Sequence, residues 1–191
     1  MCQCKSKDNP RWYNQPLPVG IAVLIGTFLF QYFGWKYQQQ FIAEQSRAAA
    51  ATALAQSTMD EVTKAVSSEL TAAASYVAAH ATRMKKPQLD DTIDQYNKLQ
   101  EDWDLGEDLL KARMRRWFSS QPIETRWKAI LDQLGALDAA VNGLIDFRTD
   151  DAGPAHQQQI QRCKTIIAEI EKALGELNRL MTDQLTVAPP S

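Results

Sequence analysis

The chain is poor in the residues that build reactive centres, with 2 histidines and 3 cysteines among 191 residues. Neither His80 nor His156 stands three residues after a glutamate, so the Glu-x-x-His pairs that hold carboxylate-bridged di-iron clusters in helical bundles are absent. Also missing are a Gly-rich phosphate loop, a His-Glu-x-x-His pair and a Gly-x-Ser-x-Gly elbow. These absences argue against enzymatic activity: no catalytic residue, no metal ligand and no cofactor is expected. A formal net charge of -2 supplies no basic excess to neutralise a phosphate backbone, so nucleic acid is not an expected partner.

The cysteines add little. Cys2 and Cys4 sit beside lysines in the N-terminal tail, a setting compatible with acylation or with metal or disulfide pairing, but they read most simply as reduced thiols. Gly does not follow Met1, which excludes myristoylation. Cys163, alone in a helical pattern, is expected to pack as a small hydrophobe.

Charge is missing locally as well. Residues 17–35, LPVGIAVLIGTFLFQYFGW, contain no charged side chain, and a helix of that length covers roughly the 30 Å hydrocarbon core of a bilayer. Aromatic residues bracket the run, Trp12 and Tyr13 before it and Tyr32, Trp35 and Tyr37 at its close, where amphipathic rings favour the headgroup layer. A cleaved signal peptide would need a shorter apolar run followed by a small-x-small site, and here Trp35-Lys36-Tyr37 follows. The segment is therefore expected to be a single transmembrane helix in contact with membrane lipid. Ala22 and Gly26 give it a small-x-x-x-small pair, a weak association face. Lys5, Lys7 and Arg11 precede the run while Lys36 and Arg47 follow it, so the positive-inside rule places the N-terminus in the cytoplasm and the remainder across the membrane.

Between Lys36 and Pro87 there is no proline or glycine, and the interval is rich in alanine, the residue with the best helix propensity. Apolar or small positions at Met59, Val62, Val66, Leu70, Ala73, Val77, His80 and Met84 advance by threes and fours, as a helical seam requires. His80 falls on that seam and reads as a packed, hydrogen-bonded core residue ahead of a ligand or pH sensor. Lys85-Lys86-Pro87 is expected to end the first helix, because the residue before proline is driven out of the α region.

A second helix, from near Gln88, places Leu89, Ile93, Tyr96, Leu99, Trp103, Leu110, Met114 and Trp117 on one face. Ser119-Ser120-Gln121-Pro122 reads as a break, with Pro122 suited to the next first turn. The third helix repeats through Trp127, Ile130, Leu134, Leu137, Val141 and Leu144 and ends in a turn rich in Asp, Gly and Pro. The fourth repeats through Ile160, Cys163, Ile167, Ile170, Leu174, Leu177 and Met181.

The expected fold is thus all-α: one N-terminal transmembrane helix continuous with an up-down-up-down antiparallel four-helix bundle. The boundaries are a polar tail at 1–16, the membrane helix at 17–35, a helical stalk at 36–53, the bundle at 54–187 and a disordered tail at 188–191. The stalk follows from length, since residues 36–86 as one helix would reach roughly 75 Å, well beyond the other three.

One local charge feature stands out. Lys111, Arg113, Arg115 and Arg116 lead into Trp117-Phe118, and Arg126 and Lys128 follow in the next helix. Cations at a helix C-terminus offset the macrodipole, and the sharper reading is a contact with an anionic surface, of headgroups or of an acidic partner.

Continuous helical seams without catalytic chemistry suggest a structural or interaction subunit of a membrane assembly, with a protein partner or self-association. In outline, a bundle joined directly to a membrane helix resembles the sensing domains of bacterial chemoreceptors. That resemblance implies a ligand-binding ectodomain, here with one membrane helix and no output domain, so that a signal would pass through a partner chain. An envelope-spanning or lysis-type protein is a third possibility.

Overall fold

The computed structural model describes residues 16–145, 147 and 153–187, without the side chains of residues 16–20 and 22. Among the described residues all regular structure is helical: α1 (Pro16–Ala81), α2 (Lys86–Trp117), α3 (Gln121–Ile145) and α4 (Pro154–Val187). The chain divides into two compact units, Met1–Arg47 and Ala48–Ser191.

In the first unit α1 carries large apolar side chains on every side. Val23, Leu24, Ile25, Phe28, Phe30 and Phe33 are all exposed, Phe28 at 70% and Phe30 at 82%. The Thr27 hydroxyl donates to the Val23 carbonyl at 2.8 Å, so this polar side chain in the apolar stretch is satisfied by its own helix. Among the described residues no helix is long and apolar enough to cross a membrane. The apolar run of the sequence starts at residue 17, so the side chains of Leu17, Pro18, Val19, Gly20 and Ala22 fall outside that description.

The second unit is a four-helix bundle. Its pairings fix the directions: Glu61 and Glu69 on α1 meet Arg113 and Gln100 on α2, in reverse order along the two helices. Thr63 donates to Asn178 Oδ1 at 2.9 Å, and His80 meets His156. Between α3 and α4, Arg126 faces Glu176, Gln133 faces Glu169, and Gln159 donates to the Ala140 carbonyl. Trp103 on α2 packs against Trp127 on α3 with ring centroids 6.3 Å apart. Each successive helix therefore runs antiparallel to the one before, and α4 returns beside α1.

The seams meet in one core. Val62, Val66, Leu70, Ala73, Val77, Ile130, Leu134, Leu137, Val141, Leu144, Ile160, Cys163, Ile170, Leu174, Leu177 and Met181 are buried together. On α2 Tyr96 and Met114 are buried, while Leu89, Ile93, Leu99, Trp103, Leu110 and Trp117 pack against the core from its edge. Gly143 has a local use: a Cβ there would stand 2.7 Å from Gln159 Nε2, whose bond to the Ala140 carbonyl needs that close approach.

The first helix stops earlier than Lys85-Lys86-Pro87 suggests. It ends at Ala81 because Arg83 turns left-handed, with φ 54°. The Arg83 N–H donates to the His80 carbonyl and the Met84 N–H to that of Ala79, a Schellman closure that satisfies two otherwise orphaned acceptors. Lys86 then opens α2 and Pro87 lies in its first turn, where no N–H is needed. The far end of α2 is closed from α4, since Gln184 Nε2 donates to the Trp117 carbonyl at 3.1 Å.

Candidate functional site

Three of the six residues of the basic cluster, Lys111, Arg113 and Arg126, are engaged in ion pairs. Lys111 pairs with Glu107 on its own helix at 2.8 Å, Arg113 turns to Glu61 on α1, and Arg126 turns to Glu176 on α4 at 2.5 Å. All three pairs are partly exposed, so each contributes about 0.2–1 kcal/mol. The remaining cations, Arg115, Arg116 and Lys128, are exposed and form no ion pair with any described residue. Arg116 lies over the Trp117 ring at 4.9 Å. Lys111, Arg115 and Lys128 come together along a groove of about 550 Å³ between α2 and α3, where Glu107, Glu124 and Asp132 balance them over Met114, Phe118 and Trp127. Of the aromatic bracket, Tyr32, Trp35 and Tyr37 are exposed, whereas Trp12 and Tyr13 lie outside the described residues, as do Cys2 and Cys4.

Two polar sites lie inside the bundle. The first centres on Glu69, which is 3% exposed. Gln100 Nε2 donates to Glu69 Oε1 at 2.9 Å and also stands 3.1 Å from the Tyr96 hydroxyl. Tyr96 also feels the charge of Asp138 on α3, whose Oδ1 accepts from Asn142 Nδ2 at 3.1 Å. Three helices thus share one polar layer. Burial raises the Glu69 carboxyl to about 7; the Gln100 bond works against that shift, and the charges of Asp138 and Asp104 add to it. Burial, with the charges of Glu69 and Asp138, also pushes the Tyr96 phenol up, so it acts as a neutral hydrogen-bonding group.

The second site is at the end of α1. His80 Nδ1 and His156 Nε2 are 3.1 Å apart, and both rings are buried. Tyr76 packs edge-on to His80 at 4.8 Å, and Phe147 stacks on His156 at 5.2 Å. His80 Nε2 is buried without a hydrogen-bond partner. Desolvation lowers the His80 imidazole to about 4, with the charge of His156 acting in the same direction.

Sequence reasoning placed His80 on the seam but missed the buried His156 and Glu69 and the half-buried Asp138. A signal existed for two of them. His156 continues the α4 seam backward by four residues from Ile160, and Glu69 lies three after Val66 and four before Ala73. Among the described residues no group of three or more His, Cys, Asp or Glu side chains is placed to hold a metal ion. No family model, curated protein or solved structure matches the chain.

Proposed function

We propose that this chain is a membrane-anchored helical-bundle protein that serves as a structural or interaction subunit of a membrane assembly. The observation that carries the reading is the N-terminal part of α1, where an uncharged run presents exposed apolar side chains on all sides among the described residues. A helix apolar all round is stable when buried in protein or in lipid, and lipid supplies that environment without a second chain. In this reading residues 17–35 span the bilayer and residues 36–53 form a helical stalk. The balance of Lys5, Lys7 and Arg11 against Lys36 and Arg47 puts the N-terminus in the cytoplasm and the bundle on the opposite side. Tyr32, Trp35 and Tyr37, with Trp12 and Tyr13, anchor the helix at the interfaces. Within the basic cluster, Arg115, Arg116 and Lys128 form no ion pair with any described residue and are available to an anionic partner.

The interaction role is tested by purifying the full-length chain in mild detergent through a C-terminal tag and identifying what accompanies it. A stoichiometric partner, or a defined oligomer of the chain itself, is the expected result; a solitary monomer would remove the interaction role.

A second reading, a ligand-binding ectodomain, draws on the two grooves beside α1. One, of about 630 Å³, runs along α4 past Ser67, Thr71, Ser75 and Asn178, and the other, of about 670 Å³, runs along α2 past Lys64, Gln95 and Asp102. A small molecule that raises the melting temperature in proportion to the logarithm of its concentration would favour this reading.

A further inference from the structure

We propose that the His80–His156 pair is a proton-operated latch: neutral His80 holds the last turn of α1 against the first turn of α4, and its protonation frees both helix ends while the rest of the bundle stays folded.

The geometry allows one proton between the facing nitrogens, because His80 Nδ1 and His156 Nε2 are 3.1 Å apart. One imidazole donates and the other accepts. A proton added to His80 puts N–H on both of its ring nitrogens. The Nδ1 side must then be the donor toward His156, and Nε2–H is left buried with no acceptor. A cation in that place lacks the partner that buried charges require. Opening toward water supplies one.

Among the described residues no carboxylate is paired with His80. On α1 the neighbour is the Tyr76 ring, and on α4 it is His156, whose ring is stacked by Phe147 from just beyond α3. At the same end Asp90 on α2 and the Cys163 thiol on α4 act on Tyr76, and Arg83, Lys85 and Lys86 lie in the turn that follows His80. Among the described residues, the charge that bears on His80 is that of His156.

Position makes the opening local. α1 ends at Ala81, one residue after His80, and α4 begins at Pro154, two before His156. Freeing the pair therefore unpacks two helix ends, the part of a bundle that opens at least cost. The Glu69 layer lies three helical turns away along α1 and need not move.

The test is hydrogen exchange of the full-length protein in detergent at pH 7.5 and pH 5.0, corrected for intrinsic rates and read peptide by peptide. With His80 held near 4 when closed and free to titrate at its ordinary 6.5 when open, the open state gains about 30-fold at pH 5.0. Residues 76–84 and 154–160 should accelerate by that order in the wild type but not in His80→Gln, while 130–141 and 170–181 stay protected in both. Equal acceleration in the variant, or none in the wild type, would overturn the latch. Should the variant not fold, imidazole nitrogen shifts of the wild type decide the matter. His80 remaining neutral until the two ends lose protection supports the latch, and His80 titrating near 6.5 with both ends still protected contradicts it.

Discussion

Arg83 holds a left-handed backbone conformation that costs a residue with a Cβ roughly 1–2 kcal/mol, at the position where glycine most often closes a helix. Replacing it with glycine removes that cost and gives back part of the gain through the freer unfolded chain. Arg83→Gly should therefore raise stability by about 0.5–1 kcal/mol, read from chemical denaturation, and a loss would show that the arginine side chain matters more than its backbone.

Glu69 and His80 set opposite slopes of stability with pH. The folded state raises the Glu69 pKa from 4.5 to about 7, so its contribution is fully present below 4.5 and is lost as pH rises through 7. His80 is lowered from 6.5 to about 4, so its contribution is present above 6.5 and is lost as pH falls toward 4. Between about 6.5 and 4.5 the two offset each other. Glu69→Gln keeps the shape of the layer and removes one slope. It should gain up to about 3 kcal/mol at pH 8, for a shift of that size at 1.36 kcal/mol per unit. Its stability should then fall steadily from pH 6.5 to 4.5, where the wild type stays nearly level. Parallel pH profiles for the two proteins would refute this.

At the scale of the helices, alternation by threes and fours was legible because it is the direct consequence of burying one stripe of each helix. Ile130, Leu137, Val141 and Leu144 on α3 and Ile160, Ile170 and Leu177 on α4 all face the core that their spacing implies. Leu137→Ala at the centre of α3 should cost about 2–5 kcal/mol, whereas Leu105→Ala, at an 85% exposed position on α2, should change stability by less than about 0.5 kcal/mol. Comparable losses at both positions would mean that α2 buries a face other than the one seen here. What the pattern did not reveal has physical reasons. A glutamate in a run of Ser, Glu and Thr looks like a solvated face, and only three-dimensional closure by Gln100 and Tyr96 makes Glu69 an interior group. The first helix was read to end at proline, but a backbone reversal at Arg83 came first, and no residue preference announces an arginine in that conformation. Which cations of the basic cluster are paired was not legible, because the acidic partners Glu61 and Glu176 of Arg113 and Arg126 lie on other helices.

For the molecule as a whole, the central claim is that the uncharged run at the start of α1 places this bundle at a membrane. It rests on the chemistry of that run and on the exposed Phe28, Phe30 and Phe33, which water does not tolerate as a group. The most direct test is alkaline carbonate extraction of membranes from cells expressing the full-length chain, beside a Leu24→Lys, Phe28→Lys variant that places two charges in the run. The wild type should remain in the membrane pellet and the variant should move to the supernatant, because each lysine near the centre of a span costs about 2.5–3.5 kcal/mol. A wild-type chain released by carbonate would contradict the membrane-anchored account.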